Sequence, residues 1–221
     1  MPRTTRGFHR MQKTFTTFSA VLVMMALVTL SAQQSTTAQQ SATPDPSPKN
    51  PLRFNAIAQS TGNQSLNTQG RVEISIERWS TEAEREELVK ELGAASFKRD
   101  GQQKLLKTLE RVKPRTGFIK LPNTLGWDLR YAHENMLPDG TRQIIIATDK
   151  PVSGSAAFNA SESLDYPFTF ADLRFPKGSD KGTGKLLTGA AVMIKDNKLQ
   201  LENYAIQPVN LTEITEHDAK K

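Results

Sequence analysis

The stretch that decides the fold is WDLRYAHENMLPDGTRQIIIAT, residues 127–148. From Trp127 to Glu134, large side chains alternate with charged or small ones, which is the period of a strand with one buried face. The dipeptide Asp139-Gly140 follows, and this pair is typical of tight hairpin turns. The apolar run Gln143–Thr148 then returns. The stretch therefore predicts an antiparallel β-hairpin.

The same pattern continues on both sides of this hairpin. Alternating or apolar segments recur at short intervals and are separated by turn residues, which is typical of antiparallel sheets. The further predicted strands are Leu52–Ala56, Val72–Ile76, Phe118–Leu121, Tyr166–Phe175, Leu186–Lys195, Lys198–Tyr204 and Val209–Ile214.

Two short amphipathic helices are predicted between the second and third strands. Thr81 and Glu84 have the spacing of a capping box, and Asp100 and Gln103 repeat it. Leucines at helical spacing follow each start, and Pro114 ends the second helix. We therefore expect an α+β fold that is mainly antiparallel β, a curved sheet or open barrel with a two-helix insertion after the second strand.

The N-terminus has the pattern of an export signal. Residues 1–14 carry four basic side chains and no acid, the apolar core Ala20–Leu30 follows, and the small residues Ser31 and Ala32 come next. We predict cleavage after Ala32 rather than a retained anchor, because the core is well short of the roughly 20 residues that a spanning helix needs. The chain is thus expected to be exported, to the periplasm or the extracellular space.

Loss of residues 1–32 changes what the charge of the chain implies. The 221 residues include 29 Lys and Arg against 23 Asp and Glu, a formal charge of +6. Without the signal, 25 basic residues remain against 23 acids, so the charge falls to +2. The remaining basic residues are spread evenly. The sequence therefore favours no nucleic acid partner, and no membrane anchor is expected after cleavage.

The rest of the chain divides into three parts. Residues 33–51 are rich in Gln, Ser, Thr and Pro and predict a disordered linker. Residues 52–215 are expected to form a single β-rich domain, and 216–221 a frayed tail.

Six motifs occur in order between Arg53 and Thr212: GRVEISIERWSTEAEREEL, LPNTLGWDLRYA, DGTRQIIIATDKP, DYPFTFADLRF, GTGKLL and LENYAIQPVNLT. Together they resemble a family of small secreted bacterial proteins that has no assigned activity. The resemblance implies export and a single β-rich domain, and it supplies no catalytic residues. One departure is that family members often carry aromatics after the DKP motif, whereas Val152–Ala157 is small and bland.

The sequence excludes several kinds of cofactor site. There is no cysteine, which rules out disulfides, thiolate metal sites and cysteine catalysis. Gly178–Leu186 lacks the first glycine and the final Ser or Thr of a phosphate-binding loop, so Lys177–Gly184 is predicted to be a flexible hairpin loop. His9, His133 and His217 have no zinc-binding spacing. No cofactor or metal is expected.

Catalytic candidates are few. Asp128, Asp149 and Asp165 lie near predicted strand ends, where paired carboxylates would suit glycoside cleavage. His133 is the one histidine in the predicted domain body and the only candidate base for a serine triad. The simpler interpretation is that Asp128 and Arg130 form a surface ion pair and that His133 is structural.

Ligand contacts are predicted at Trp127, Arg130, Tyr131 and Tyr166, with Trp127, Tyr131 and His133 on one strand face. The simpler alternative is that these aromatics belong to the core. The leading hypothesis is an exported, non-enzymatic binding or interaction module for an envelope component or a small extracellular ligand. The alternatives are an extracytoplasmic carboxylate-dependent hydrolase and a lipocalin-like carrier of a hydrophobic ligand.

Export can be tested on the N-terminus. We expect the chain recovered outside the cytoplasm to begin at Gln33, as read by N-terminal sequencing and intact mass. Val23→Arg interrupts the apolar core and should leave the full-length chain in the cell, while the matched change Val23→Leu should be processed normally. Full-length wild-type protein retained in the cytoplasm would contradict the prediction.

Overall fold

The computed structural model describes residues 48, 51–59, 70–96, 98–122, 124–152, 165–195, 198–203 and 208–218. The predicted export signal, nearly all of the linker, and loop positions 60–69 and 153–163 lie outside these residues. The described elements are β1 (Leu52–Gln59), β2 (Gly70–Ile76), α1 (Glu82–Ala94), α2 (Arg99–Glu110), β3 (Gly117–Lys120), β4 (Trp127–Met136), β5 (Arg142–Thr148), β6 (Phe168–Phe175), β7 (Lys181–Lys195), β8 (Lys198–Asn203) and β9 (Val209–Asp218).

Eight of the strands close into an antiparallel barrel. Each strand from β1 to β6 pairs with the next, β9 pairs with β1 and β7, and the β6–β7 ladder completes the ring. Helices α1 and α2 lie between β2 and β3 in the chain. The expected α+β class and the two-helix insertion are confirmed. Closure, which the sequence left open, comes from the β6–β7 pairing.

Strand β7 is long enough to pair with three strands. Its first part pairs with β6 and β9, and Ala190–Lys195 forms a hairpin with β8. The prediction of a flexible loop over Lys177–Gly184 was wrong from Lys181 onward. A Cβ at Gly184 would lie 2.6 Å from the carbonyl oxygen of Asp172, so this glycine permits close strand packing rather than flexibility.

Apolar side chains fill the barrel interior. An eight-stranded barrel is just wide enough for side chains from opposite walls to meet. Burial of each large aliphatic or aromatic side chain contributes about 1.5–3 kcal/mol, so this cluster is the main source of stability. Its members are Phe54, Ala56, Val72, Ile74, Ile76, Ile119, Leu129, Ala132, Ile144, Ile146, Val152, Ala171, Leu173, Phe175, Leu186, Val209, Leu211 and Ile214.

A register shift between Leu129 and Tyr131 interrupts the alternation of β4. Trp127 packs against the interior cluster, whereas Tyr131 packs against the cluster beneath the helices. The prediction that Trp127, Tyr131 and His133 share a face was therefore wrong for Trp127, because an irregularity of one residue reverses the facing of every later side chain. Tyr131 and His133 do share a face, with ring centroids 6.4 Å apart.

The two helices begin in different ways. In α1 the Thr81 hydroxyl accepts a hydrogen bond from the Glu84 backbone N–H, and the Glu84 carboxylate accepts one from the Thr81 N–H, which confirms the capping box. The second predicted cap was wrong. Helix α2 follows Lys98 without a side-chain cap, so Asp100 already lies in its first turn. Within the described residues, neither helix has the length and apolar character needed to cross a membrane.

The helices pack on the outside of the barrel. Leu88, Leu105 and Leu109 bury against Phe168 and Val192 of the barrel wall. This outer cluster attaches the insertion to β6 and to the extended part of β7.

Gln102 fixes α2 to the edge of β7 that has no described neighbouring strand at Val192. Its amide Nε2 donates to the Val192 carbonyl at 2.8 Å, and its Oε1 accepts from the Val192 N–H at 2.8 Å. Gln102 is fully buried. Its side-chain amide thus takes the place of a neighbouring strand, because β6 begins at Phe168, opposite Ala190, and does not reach Val192.

Strand β9 continues through Glu216 to Asp218 and pairs with the start of β1, where the sequence had indicated a frayed tail. This extension places Glu216 opposite Phe54, on the inner face of the barrel.

Replacement of Gln102 tests the attachment of the helices. Gln102→Leu leaves both backbone groups of Val192 without a partner, so we expect the free energy of unfolding to fall by about 2–4 kcal/mol in urea titrations. The matched change Lys104→Leu on the exposed face of α2 should stay within about 0.5 kcal/mol of wild type. Equal effects of the two changes would contradict this role of Gln102.

Candidate functional site

A cleft of about 550 Å³ opens at one end of the barrel. We call this the cleft end; it carries the β4–β5 and β6–β7 turns, while the β3–β4 turn lies at the opposite end. Residues from both turns line the cleft, together with Arg142 of β5, Phe175 of β6 and Glu216 of β9. The cleft is therefore built on rigid strands and two tight turns.

Arg142 lies at the floor of the cleft between two carboxylates. Its Nη2 donates to Glu134 Oε2 at 2.9 Å, and its Nη1 donates to Glu216 Oε2. Burial alone would lower the pKa of Arg142, but the hydrogen bonds to Glu134 and Glu216 outweigh this and raise it. The guanidinium therefore stays charged and holds β4, β5 and β9 together.

Glu134, Arg142 and Glu216 form a charged triad, and an aromatic ring supports it from within the barrel. The Arg142 guanidinium lies 5.7 Å from the ring centroid of Phe175, and that ring lies 5.7 Å from the ring of Phe54. A cation over an aromatic face is attracted by the ring quadrupole. The triad therefore continues the hydrophobic core as its last, charged layer.

Strand register explains why these charges point inward. Arg142 is paired with Phe175 and lies two residues before the buried Ile144, so it occupies an inward position of β5. Glu134 is paired with Ile144 and faces inward for the same reason. The alternation in the sequence instead placed Glu134 on the face opposite Trp127 and Tyr131, and Glu216 lay in the predicted tail. Sequence reasoning therefore missed the triad.

The two turns touch above the triad. Gly140 has φ of +80°, and a Cβ there would lie 3.0 Å from Cδ of Lys177. The Lys177 stem thus packs on the β4–β5 turn. Lys177 and Asp180 are both exposed, and neither forms an ion pair with another described residue.

The sequence-predicted residues Asp128, Arg130 and Asp149 meet on the outer wall instead. Arg130 bonds Asp149 at 3.0 Å and lies 3.4 Å from Asp128, so the expected surface ion pair forms. Arg115 extends the network, since it bonds Asp128 at 2.9 Å and Glu77 at 2.8 Å. Each of these carboxylates is thus neutralised by an arginine.

Asp165 belongs to a different contact. It accepts a hydrogen bond from Nε of Arg99 at 2.6 Å, and that bond lowers the pKa of the Asp165 carboxyl. The neighbouring Tyr166 hydroxyl donates to Glu202 at 3.3 Å. Within the described residues, no hydrogen bond or ion pair joins Asp165 to Asp128 or Asp149.

The candidate aromatics divide between the two cores. Trp127 packs against the interior cluster. Tyr131 packs with Phe168 and Phe170 beneath the helices, where the two phenylalanine rings are 5.9 Å apart. The alternative interpretation of these aromatics as core residues agrees with this packing.

Neither a metal-binding cluster nor a known relative points to the function of the site. The described residues contain no group of three or more His, Asp or Glu side chains placed to hold a metal ion. Comparison of the chain with models of known families, with curated proteins and with solved structures gave no match.

His133 provides a direct test of the environment outside the barrel. Burial and the nearby Arg85 cation lower the pKa of His133 below its usual 6.5. We expect this shift in an NMR titration of the ring proton, and Arg85→Ala should raise the value. Because the unfolded chain binds the proton more readily, stability is full above about pH 6.5 and falls as the pH drops towards the folded-state pKa. A wild-type pKa at or above 6.5 would contradict the placement.

The triad can be tested by removing its cation. Arg142→Met leaves Glu134 and Glu216 close together without a counter-charge, so we expect a loss of about 1–3 kcal/mol at pH 7, less than for a fully buried pair. The deficit should shrink at high salt, which screens the repulsion between the two carboxylates. Arg174→Met, on the outer face of β6, is the matched control and should cost under about 1 kcal/mol. A deficit that does not change with salt concentration would exclude the charge explanation.

Proposed function

We propose that the chain is an exported, non-enzymatic binding module that takes a small extracellular ligand or an envelope component in the cleft at the barrel end. The observation that carries the proposal is the Arg142 guanidinium, held between Glu134 and Glu216 at the floor of an open cleft of about 550 Å³. Export by cleavage after Ala32 and membership of the secreted bacterial family belong to the same proposal.

The end of the barrel suits a ligand better than its centre. The fold is compatible with a lipocalin-like binding module, whose ligand enters the barrel. In this chain, apolar side chains from the surrounding strands occupy the described interior. A hydrophobic ligand at the centre would have to displace that core, at a cost of several kcal/mol. The cleft needs no such displacement.

The carboxylates proposed for hydrolysis are poorly placed for acid–base work. A general acid needs a raised pKa, whereas the Arg99 hydrogen bond lowers the pKa of Asp165. Asp128 and Asp149 both contact the Arg130 guanidinium on the outer wall. These contacts count against hydrolysis by these three carboxylates.

The cleft is also preorganised. Arg142 and Glu216 lie on strands, and Arg142 is fixed by two hydrogen bonds and by the Phe175 ring. Side chains that are already ordered lose less conformational entropy when a ligand binds. This property favours selective binding at the cleft.

A ligand screen on two matched variants tests the proposal. The full chain is screened by thermal shift against sugars, peptides, peptidoglycan fragments and lipids; a ligand at 100 times its Kd should add about 2.7 kcal/mol of stability. Met136→Trp fills the cleft and should abolish the shift, while Leu125→Trp, a change at another exposed apolar residue at the opposite end, should preserve it.

Two outcomes would overturn the proposal. One is a shift that Met136→Trp leaves intact, since the ligand would then bind elsewhere. The other is the absence of any shift across all four ligand classes.

A further inference from the structure

We infer that the ligand of the cleft is a small zwitterion, an amino acid or short peptide that carries both a free ammonium and a free carboxylate. The inference rests on the proposed function and adds the chemistry of the ligand. It is carried by the opposite charges that line one cleft and by the way the triad uses only some of them.

Both signs of charge face the cleft. Arg142 and Lys177 supply the cations, and Glu216 and Asp180 supply the anions. Arg142 is compensated by Glu134 and Glu216, whereas Lys177 and Asp180 form no ion pair within the described residues; the Asp180 carboxylate acts electrostatically on the neighbouring Lys181. A ligand with a single charge would form an ion pair with one of these two groups and leave the other hydrated. A zwitterion satisfies both.

The triad sets the direction of the ligand. Its two carboxylates share one guanidinium, so Glu134, Arg142 and Glu216 together carry one net negative charge. Only Oε2 of Glu216 bonds Arg142, and its Oε1 accepts no hydrogen bond from a described residue. The ammonium therefore lies towards Glu216 and Asp180. The carboxylate lies towards Lys177, whose stem is seated on Gly140.

Other ligand chemistries fit this cleft less well. Sugars are commonly held on an open aromatic face, but Phe175 is 5% exposed and the Arg142 guanidinium already lies over its ring. A simple anion would be repelled by the net negative charge of the triad. The volume of about 550 Å³ is within the usual range of roughly 300–1,000 Å³ for small-molecule sites.

The experiment compares four probes on the full ¹⁵N-labelled chain. They are trialanine, N-acetyl-trialanine, trialanine amide and free alanine, titrated while the amide signals of Gly140 and Gly178 are followed. We expect trialanine to bind at least ten times more tightly than either blocked peptide. The alanine titration shows whether a single amino acid suffices or a peptide is required.

Charge variants assign each end of the ligand. Lys177→Met should remove the preference for trialanine over its amide, and Asp180→Asn should weaken the preference over the acetylated peptide. Both side chains are exposed, so these variants leave the fold intact. Lys120→Met, an exposed lysine at the opposite end, is the matched control and should keep both preferences.

The outcomes separate this inference from the proposed function. Equal binding of the blocked peptides overturns the zwitterion and leaves a binding cleft. Failure of all four probes to shift Gly140 and Gly178, with another ligand class binding there, has the same meaning. If no class of ligand binds at the cleft, the proposed function fails as well.

Discussion

The structure depends on the backbone pairing of β7 with β6 on one side and β9 on the other. This double ladder closes the barrel and removes the exposed edges that an open sheet would present. It requires the two backbones to come very close, which Gly184 allows because it has no Cβ to meet the Asp172 carbonyl. Closure then creates an interior that the eight strands fill with aliphatic and aromatic side chains.

A filled barrel leaves its ends as the places where polar groups reach both the core and the solvent. Deeper in the barrel, the inward positions of β5 and β9 are occupied by Ile144 and Ile214. At the cleft end, the next inward positions of the same strands are occupied by Arg142 and Glu216. The charges are tolerated because they pair with each other and remain partly hydrated. The same change from apolar to charged side chains that ends the core therefore builds the candidate site.

The helical insertion solves a second problem of the barrel, its incomplete ladders. Strand β3 pairs with β4 only as far as Leu129, and Ser80 then bonds both backbone groups of Ala132, at 2.8 and 3.1 Å. Gln102 does the same for Val192 beyond the end of β6. Buried backbone groups need such partners. The insertion is thus part of the barrel wall as well as a cover over it.

Much of this could be predicted from local pattern. The period of two along β2, the Asp139-Gly140 turn and the Thr81–Glu84 capping box depend on neighbouring residues alone, and each agrees with the structure. The ion pair of Asp128 with Arg130 was also predictable, since the two lie on one strand. In contrast, the register shift after Leu129 leaves no pattern that a sequence displays, so the facing of Tyr131 could not be predicted.

The sequence by itself determined the elements, their order, the mainly antiparallel class and the position of the insertion, because these follow from periodicity and turn chemistry within short windows. Only the tertiary structure decided that the sheet closes and that Glu134, Arg142 and Glu216 meet, because both depend on pairings between distant segments. Glu216 lies 74 residues from Arg142 in the chain, and it reaches that guanidinium only because β9 returns to pair with β1.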